Sequence, residues 1–275
     1  MSYRNELSPP IFPQNWASDW GEDEYGLWMA LNYKDVEVIF RWLLPCEFLM
    51  GSPKNEKQRF DKEKQHLVRL TRGYWLAETT VTQALWEVVI ENNPSRFKGQ
   101  NHPVDSVSWL DCEKFINKFS SLHLDLTVRL PTEAEWENAC RAGTTTPFSF
   151  GENINFQQVN YNGKFPYNNA KKGLYREKTV EVKSLPANAW GLHEMHGNVW
   201  EWCQDWFGEY PKQALIIDSK EQETGNSRVL RGGSWLYDGK NCRCATRSRY
   251  EPNSALSSFG FRLSLGHLSS SQEKE

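Results

Sequence analysis

The stretch RVLRGGSWLYDGKNCRCATRSRYEPNSALSSFGFRL occupies residues 228–263, close to the C-terminal end of the chain. Its two ends, 228–231 and 259–263, are short apolar runs that predict β-strands. Between them lie two adjacent glycines, two cysteines separated by one residue, and three arginines that follow the first cysteine. This composition allows three interpretations: a redox or metal centre, a catalytic loop, or a surface that contacts another molecule.

The composition of the whole chain narrows these interpretations. The 275 residues are 39% hydrophobic and 24% charged, which fits one large globular domain. Thirteen tryptophans indicate a chain that folds through aromatic packing of its loops. The net charge of −3, with no dense Lys/Arg stripe, disfavours nucleic acid as a partner. The sequence contains no run of 18 apolar residues, so no membrane insertion is predicted. The N-terminus lacks the apolar core of a signal peptide, and we therefore expect a cytoplasmic protein.

Short strands and few helices are expected along the chain. Helices are predicted after Thr80, after Ser108, and after Thr132, where Glu135 completes a capping box and Gly143 ends the helix. The predicted strands are 36–42, 48–50, 68–70, 75–78, 180–182, 228–231 and 259–263. From about 143 to 230 the sequence is loop-rich. We expect one domain at 16–265, between a flexible N-terminal segment (1–15) and a flexible tail (266–275).

The six cysteines do not have the spacing of a disulfide framework or of a zinc site. They are Cys46, Cys112, Cys140, Cys203, Cys242 and Cys244. No CxxC pair occurs, and Cys242-Arg243-Cys244 is too tight for tetrahedral zinc. We therefore expect buried, reduced thiols.

Several ordered motifs carry a resemblance to a known family. They are FLMGSP (48–53), LAETTVTQALWEVV (76–89), NPSRFKG (93–99), HPVDSVSW (102–109), RLPTEAEWENACRAG (129–143), WGLHEMHGNVWEWCQDW (190–206) and the opening stretch. Together they resemble the sulfatase-modifying-factor family, which includes the formylglycine-generating enzymes. The resemblance spans about residues 35–265 and implies an α+β fold, irregular, loop-rich and C-type-lectin-like. The stretch WASDWGEDEYGLW (16–28) is similar to a lead-in of bacterial members.

Enzyme activity is the alternative that this resemblance raises. Formylglycine-generating enzymes hold copper with two cysteines just after the GGS motif, where thiolates suit Cu(I). Here Tyr237 stands near the place of the first cysteine, which favours a non-catalytic protein, and neither copper nor iron is expected. The alternative is a formylglycine-generating or related oxidoreductase with Cys242 or Cys244 as its reactive thiol. His193 and His196 flank Met195 in a loop and are more typical of structural residues than of iron ligands.

A structural calcium ion is a second implication of the resemblance. Asn198, Val199 and Glu201 match a segment that holds calcium in the family, and their oxygens are hard ligands. The alternative is a turn in which Asn198 bonds to its own backbone. A second family site near Asn160 is doubtful, because Lys171 and Lys172 would repel a cation.

The family also contains the variable proteins of diversity-generating retroelements, which vary a segment between GGSW and GFR to bind different ligands. By this resemblance, 232–262 is the variable segment, and a protein or peptide ligand is expected. The candidate ligand-binding residues are Leu236, Tyr237, Asp238, Lys240, Thr246, Ser248, Arg249, Tyr250, Glu251, Asn253, Ser254, Leu256, Ser257 and Ser258. All except Lys240 and Glu251 can arise from AAY codons by adenine substitution. The residues that suit a framework are Gly232, Gly233, Trp235, Cys242, Arg243, Ala245, Arg247, Pro252, Gly260, Phe261 and Arg262.

Overall fold

The computed structural model describes residues 7–122, 125–210, 213, 215–218 and 224–266. The helices are α1 (Gln83–Ile90), α2 (Trp109–Ser120) and α3 (Glu133–Arg141). The strands are β1 (Asp19–Asp23), β2 (Gly26–Tyr33), β3 (Val36–Leu43), β4 (Cys46–Met50), β5 (His66–Leu70), β6 (Tyr74–Ala77), β7 (Val128–Arg129), β8 (Trp200–Trp206), β9 (Leu215–Ile217), β10 (Arg228–Arg231), β11 (Arg247–Tyr250), β12 (Phe259–Gly260) and β13 (Ser264–Leu265).

The strands form three sheets within the described ranges. The largest is antiparallel, with the order β1-β2-β3-β6-β13-β7. The second, β11-β10-β8-β12, pairs β12 with β8 in parallel. The third is β4-β5-β9. The lead-in 16–28 forms β1 and the start of β2, and Gly26 (φ +100°) allows the turn between them.

The predicted strand 259–263 is divided between two sheets. Phe259 pairs with Trp200 in the second sheet, whereas Ser264 pairs with Leu76 in the largest one. The residues between cross from one sheet to the other, and the Phe261 carbonyl accepts the Val81 N–H at 2.9 Å. The C-terminal end of the opening stretch thus joins the two sheets over one aromatic core.

All three predicted helices are present, and their caps explain where they begin. Ser108 and Thr132 each form a capping box, with Asp111 and Glu135 respectively. α3 ends one residue earlier than the sequence suggests, because Ala142 itself takes the left-handed cap conformation (φ 46°). One face of α2 packs Phe115 and Phe119 into the core with 0% exposure.

The prediction of a strand at 180–182 is wrong. The backbone N–H of Val180 donates to Asn198 Oδ1 at 2.9 Å, and its carbonyl accepts from Asn198 Nδ2 at 3.2 Å. A side chain therefore takes the bonds that a neighbouring strand would have made. Conversely, β8 was not predicted, because WEWCQDW is mostly buried on both faces and shows no polar alternation.

The proposed flexible ends are only partly covered by the structure, since residues 1–6 and 267–275 lie outside the described ranges. In the described part of the N-terminal segment, the Trp42 indole N–H donates to the Leu7 carbonyl at 2.8 Å. Phe12 stacks on Trp75 with the ring centroids 5.9 Å apart. In the part of the chain that the structure describes, no helix is long and apolar enough to span a membrane.

Candidate ligand-binding surface

Two buried arginines of the segment 232–262, Arg243 and Arg247, attach it to the rest of the domain. Arg243 has 0% exposure and donates to Glu63 Oε2 at 2.8 Å and to Glu56 Oε1 at 2.5 Å, both in the connection between β4 and β5. Arg247 forms a bidentate salt bridge with Glu133 of α3: its Nε donates to Oε1 at 2.6 Å and its Nη2 donates to Oε2 at 2.7 Å. Buried ion pairs of this kind are tolerated only when hydrogen bonds satisfy both partners. The arginines therefore fix the backbone of the segment to the rest of the domain.

Two glycines and one tryptophan set the start of the segment. Gly232 (φ +95°) and Gly233 (φ +78°) occupy the left-handed region, and a Cβ on Gly233 would lie 2.7 Å from the Cys242 sulfur. The Trp235 indole N–H donates to the Ser257 carbonyl at 3.0 Å. The start of the segment 232–262 is thereby hydrogen-bonded to a residue near its end.

Most of the candidate ligand-binding side chains, in contrast to these buried residues, are exposed or half-buried. Leu236, Tyr250 and Leu256 are the large apolar members, with exposures of 45%, 36% and 43%. The other exposed or half-buried members are Tyr237, Asp238, Lys240, Ser248, Arg249, Glu251, Asn253, Ser254 and Ser257. Tyr237 and Tyr250 are close neighbours: burial raises the pKa of Tyr237, and the nearby Tyr250 raises it further. This contact joins the two halves of one mixed polar and apolar surface.

Two candidate residues do not belong to this surface. Thr246 and Ser258 are only 1% and 2% exposed. The Thr246 hydroxyl donates to the Lys240 carbonyl at 3.0 Å, which explains its orientation toward the interior. Both residues support the backbone and do not contact solvent, contrary to the sequence prediction.

The candidate calcium ligands are already engaged with protein groups. Glu201 has 1% exposure and receives both Arg262 Nε and Nη2 at 2.8 Å, together with the Trp136 indole N–H at 2.7 Å. Asn198 Oδ1 accepts the Val180 N–H and the Asn160 amide at 2.9 and 3.1 Å. The Val199 side chain is buried. Because a guanidinium neutralises the only carboxylate of the set, these residues as arranged do not fit Ca²⁺.

The cysteines of the opening stretch are packed in the interior. Cys242 and Cys244 both have 0% exposure, and burial raises the pKa of the Cys242 thiol. Burial also acts to raise the pKa of Cys244, but the Cys140 thiol and the Arg141 charge lower it below its usual value. The Cys140 and Cys244 sulfurs lie 3.7 Å apart. Neither thiol of the segment is positioned to meet a substrate in solution.

Cys140, His196 and Cys244 are close enough to suggest a metal site, but the histidine is not open to a ligand. Its Nδ1 lies 2.7 Å from the Cys242 carbonyl, to which it donates. Its Nε2 lies 3.1 Å from the Ser149 backbone N–H, from which it accepts. With both ring nitrogens engaged, the cluster is explained by packing of sulfur against an imidazole.

Glu194, next to this cluster, gives the protein a specific pH dependence. Burial raises the pKa of its carboxyl to about 7, although the Lys183 and Leu185 N–H groups oppose the shift. A folded-state pKa above the unfolded value means that stability is fully present in acid and is lost as the pH rises. We therefore expect this group to lower the free energy of unfolding by about 3 kcal/mol between pH 4.5 and 7. Glu194→Gln should remove that loss.

Urea unfolding of both proteins at pH 5, 6, 7 and 8 tests this expectation. The difference between the two stability curves should grow in favour of the Gln variant as the pH rises. Burial lowers the pKa of His196 to about 4, which adds an acid-range loss common to both proteins and cancels in the difference. A difference that stays constant across this range would rule out a titrating Glu194.

With the site described, the comparisons with known proteins become informative. Residues 40–265 match the model of the sulfatase-modifying factor enzyme 1-like domain. The chain belongs to this family. The family and the α+β, C-type-lectin-like fold class predicted from sequence are thereby confirmed.

The similar proteins found by sequence carry the names of two different kinds of enzyme. The mouse formylglycine-generating enzyme is 34% identical over 203 residues, which are 71% of this chain and 52% of that protein. The serine/threonine-protein kinase Pkn1 of Chlamydia trachomatis serovar L2 is 36% identical over 271 residues, 94% of this chain and 39% of that protein. The chain spans about half the length of the curated formylglycine-generating enzymes from mouse, cattle and Streptomyces coelicolor.

Among solved structures, Treponema denticola variable protein 1 matches with a TM-score of 0.75 and 27% identity. The match covers 86% of this chain and 98% of that protein. Proteins named as enzymes and a protein named as a variable protein are thus both similar to this chain. The choice between the two functions depends on the site.

Sequence reasoning missed one part of the surface, the loop 162–178. Its Asn162 and Tyr175 contact the segment 232–262: the Asn162 N–H donates to the Tyr237 carbonyl, and Tyr175 stacks on Trp235 with centroids 6.4 Å apart. In the sequence, the Lys171-Lys172 pair serves only as a reason against calcium. The contact of this loop with the segment is long-range, and no local pattern predicts it.

Proposed function

We propose that this chain is a non-catalytic binding module of the sulfatase-modifying-factor family, which contacts a protein or peptide ligand through the exposed residues of 236–257. The observation that carries the proposal is the division of one segment into two sets of side chains. The glycines, Trp235, Arg243 and Arg247 are buried anchors, whereas twelve candidate side chains, Arg249 among them, are exposed or half-buried. Mixed aromatic, arginine and small polar side chains are typical of adaptable binding surfaces. The similarity to Treponema denticola variable protein 1 supports this function.

Diversification by a retroelement is part of the proposal. Ten of the twelve positions that AAY codons can reach are exposed or half-buried, all except Thr246 and Ser258. The neighbouring DNA should encode a reverse transcriptase and a near-repeat of codons 228–264. If neither is present, the diversification part of the proposal is removed, whereas ligand binding itself is tested separately.

Ligand binding is tested with a displayed library of random twelve-residue peptides selected on the full chain. We expect binders that Leu236→Asp/Leu256→Asp weakens by at least about tenfold, since both large apolar contacts are lost. Leu44→Asp is the matched control, because Leu44 is equally exposed (49%) and lies outside the segment. No enriched binder, or binders equally sensitive to the control substitution, would overturn the proposed surface.

A formylglycine-generating type of oxidoreductase remains the second candidate, because the curated relatives named above include such enzymes. It would require Cys242 or Cys244 to react with a substrate thiol. Both sulfurs are buried. By the family resemblance, Tyr237 stands near the expected place of the first copper-binding cysteine. The reactivity of these thiols separates the two functions.

A further inference from the structure

The loop 162–178, here named the basic loop, is joined to the start of the variable segment by backbone hydrogen bonds. The Asn162 N–H donates to the Tyr237 carbonyl at 2.9 Å, and the Gly239 N–H donates to the Phe165 carbonyl at 3.0 Å. A Cβ on Gly239 would lie 2.7 Å from the Tyr167 backbone nitrogen, so the two backbones are in close contact. The basic loop and residues 236–240 therefore form one continuous surface.

This surface combines apolar side chains with positive charge. Phe165 and Leu174 of the basic loop are 61% and 50% exposed, and Leu236, which precedes the hydrogen-bonded Tyr237, is 45% exposed. Residues 164–178 include five basic residues and one acidic residue, in a chain whose net charge is −3. Lys171 and Lys172 are exposed, and neither forms a salt bridge within the described ranges. A concentration of positive charge beside apolar side chains suits a ligand that is both acidic and apolar.

In the basic loop, one nitrogen of the Arg176 guanidinium has no hydrogen-bond partner among the described residues. Arg176 Nη2 donates to the Phe156 carbonyl at 2.8 Å, whereas its Nη1 is buried and has no hydrogen-bond partner among the described residues. A buried, charged donor without an acceptor is costly, and a carboxylate is the acceptor that suits a guanidinium best. Because this Nη1 is buried, a ligand cannot reach it in the arrangement seen here, so Arg176 adds positive charge to the basic loop but is not a direct contact for a carboxylate.

The aromatic residues of the surface argue against nucleic acid as that ligand. Tyr175 stacks on Trp235, and Lys164 Nζ lies 5.3 Å from the Tyr175 ring centroid. The Trp235 ring also packs edge-on against Phe97 at 5.2 Å. Binding of single strands depends on several open aromatic faces for the stacking of successive bases, and Phe165 is the one exposed ring of the fully described basic loop, so the surface suits a peptide better.

We propose that the basic loop completes the recognition surface and selects a peptide segment in which acidic residues flank an aromatic or aliphatic side chain. The apolar side chain packs against Phe165, Leu174 and Leu236, and the carboxylates face Lys171 and Lys172. This inference rests on the proposed function, because Leu236 belongs to the variable segment. It adds that residues outside that segment, Lys171 and Lys172 of the basic loop, select for the charge of the ligand.

The test compares peptides selected on the wild-type chain with those selected on Lys171→Glu/Lys172→Glu. Wild-type binders should be enriched in Asp and Glu, and the charge reversal should weaken them by about tenfold at low salt. The difference should shrink at 0.5 M salt, where exposed charges are screened. Lys54→Glu/Lys114→Glu is the matched control, a charge reversal outside the surface, and it should leave affinity unchanged.

The outcomes separate this inference from the proposed function. Binders that depend on Leu236 and Leu256 but show no acidic enrichment overturn the basic-loop inference and leave the proposed function standing. Failure to obtain any binder overturns both. Single-stranded DNA and vesicles containing phosphatidylserine are tested in parallel. If either binds in a manner that depends on Lys171 and Lys172 while no peptide does, the ligand class proposed here is wrong.

Discussion

Arg262→Met is expected to destabilise the domain by about 3–5 kcal/mol, because it leaves a buried carboxylate without its counter-charge. Arg262 has 0% exposure and donates two hydrogen bonds to Glu201 at 2.8 Å. Three further hydrogen bonds reach the carbonyls of Ala77, Glu78 and His193, at 2.9, 3.0 and 2.8 Å. Methionine fills a similar volume but satisfies none of these acceptors. Total stabilities of about 5–15 kcal/mol make such a loss close to unfolding.

Urea unfolding followed by tryptophan fluorescence measures this loss. Arg249→Met is the matched control, an exposed arginine of the same segment, and should change the free energy of unfolding by less than about 0.5 kcal/mol. Adding Glu201→Gln to Arg262→Met should recover part of the loss, since glutamine removes the buried charge and still accepts the Trp136 N–H. A loss below about 1 kcal/mol for Arg262→Met would show that Glu201 has another counter-charge in solution.

Arg262 also illustrates what the sequence could predict about the fold. Local signals were sufficient for all three helices, because capping residues such as Ser108 and Thr132 act within four residues of the backbone that they satisfy. The division of 259–263 between two sheets was not predictable in this way. It depends on Arg262 bonding to the ends of β6 and to Glu201 of β8, which are distant in sequence.

For the ligand-binding surface, the sequence indicates which residues of 232–262 are buried anchors, but it does not indicate which distant residues the segment contacts. The glycines and Trp235 were assigned to the framework from their chemistry, and each lies buried. Thr246 was placed on the surface because its codon fits the retroelement pattern, which carries no information about side-chain direction. The basic loop was missed because its contact with Tyr237 and Gly239 is long-range.

The second large effect concerns thiol reactivity. In the native protein, Cys242 and Cys244 should react with iodoacetamide at least about a thousandfold more slowly than in urea, because reaction needs a local or global opening. The lowered pKa of Cys244 favours the thiolate, which is the reactive form. Its 0% exposure opposes reaction and should dominate, since a thiolate without access to the reagent cannot react. Peptide mass spectrometry after timed quenching measures each rate separately.

Cys46 provides the internal control, because it is the one cysteine that is not fully buried, among six that all lie in the described ranges. Burial raises the pKa of its thiol, so it should react slowly, yet before Cys242 and Cys244. A copper-dependent oxidoreductase would behave in the opposite way. One of the two segment thiols would react first in the native state, and Cu(I) in equal amount would protect it. That result would overturn the non-catalytic function, because a thiol that copper and a small reagent both reach in the folded protein could also meet a substrate cysteine.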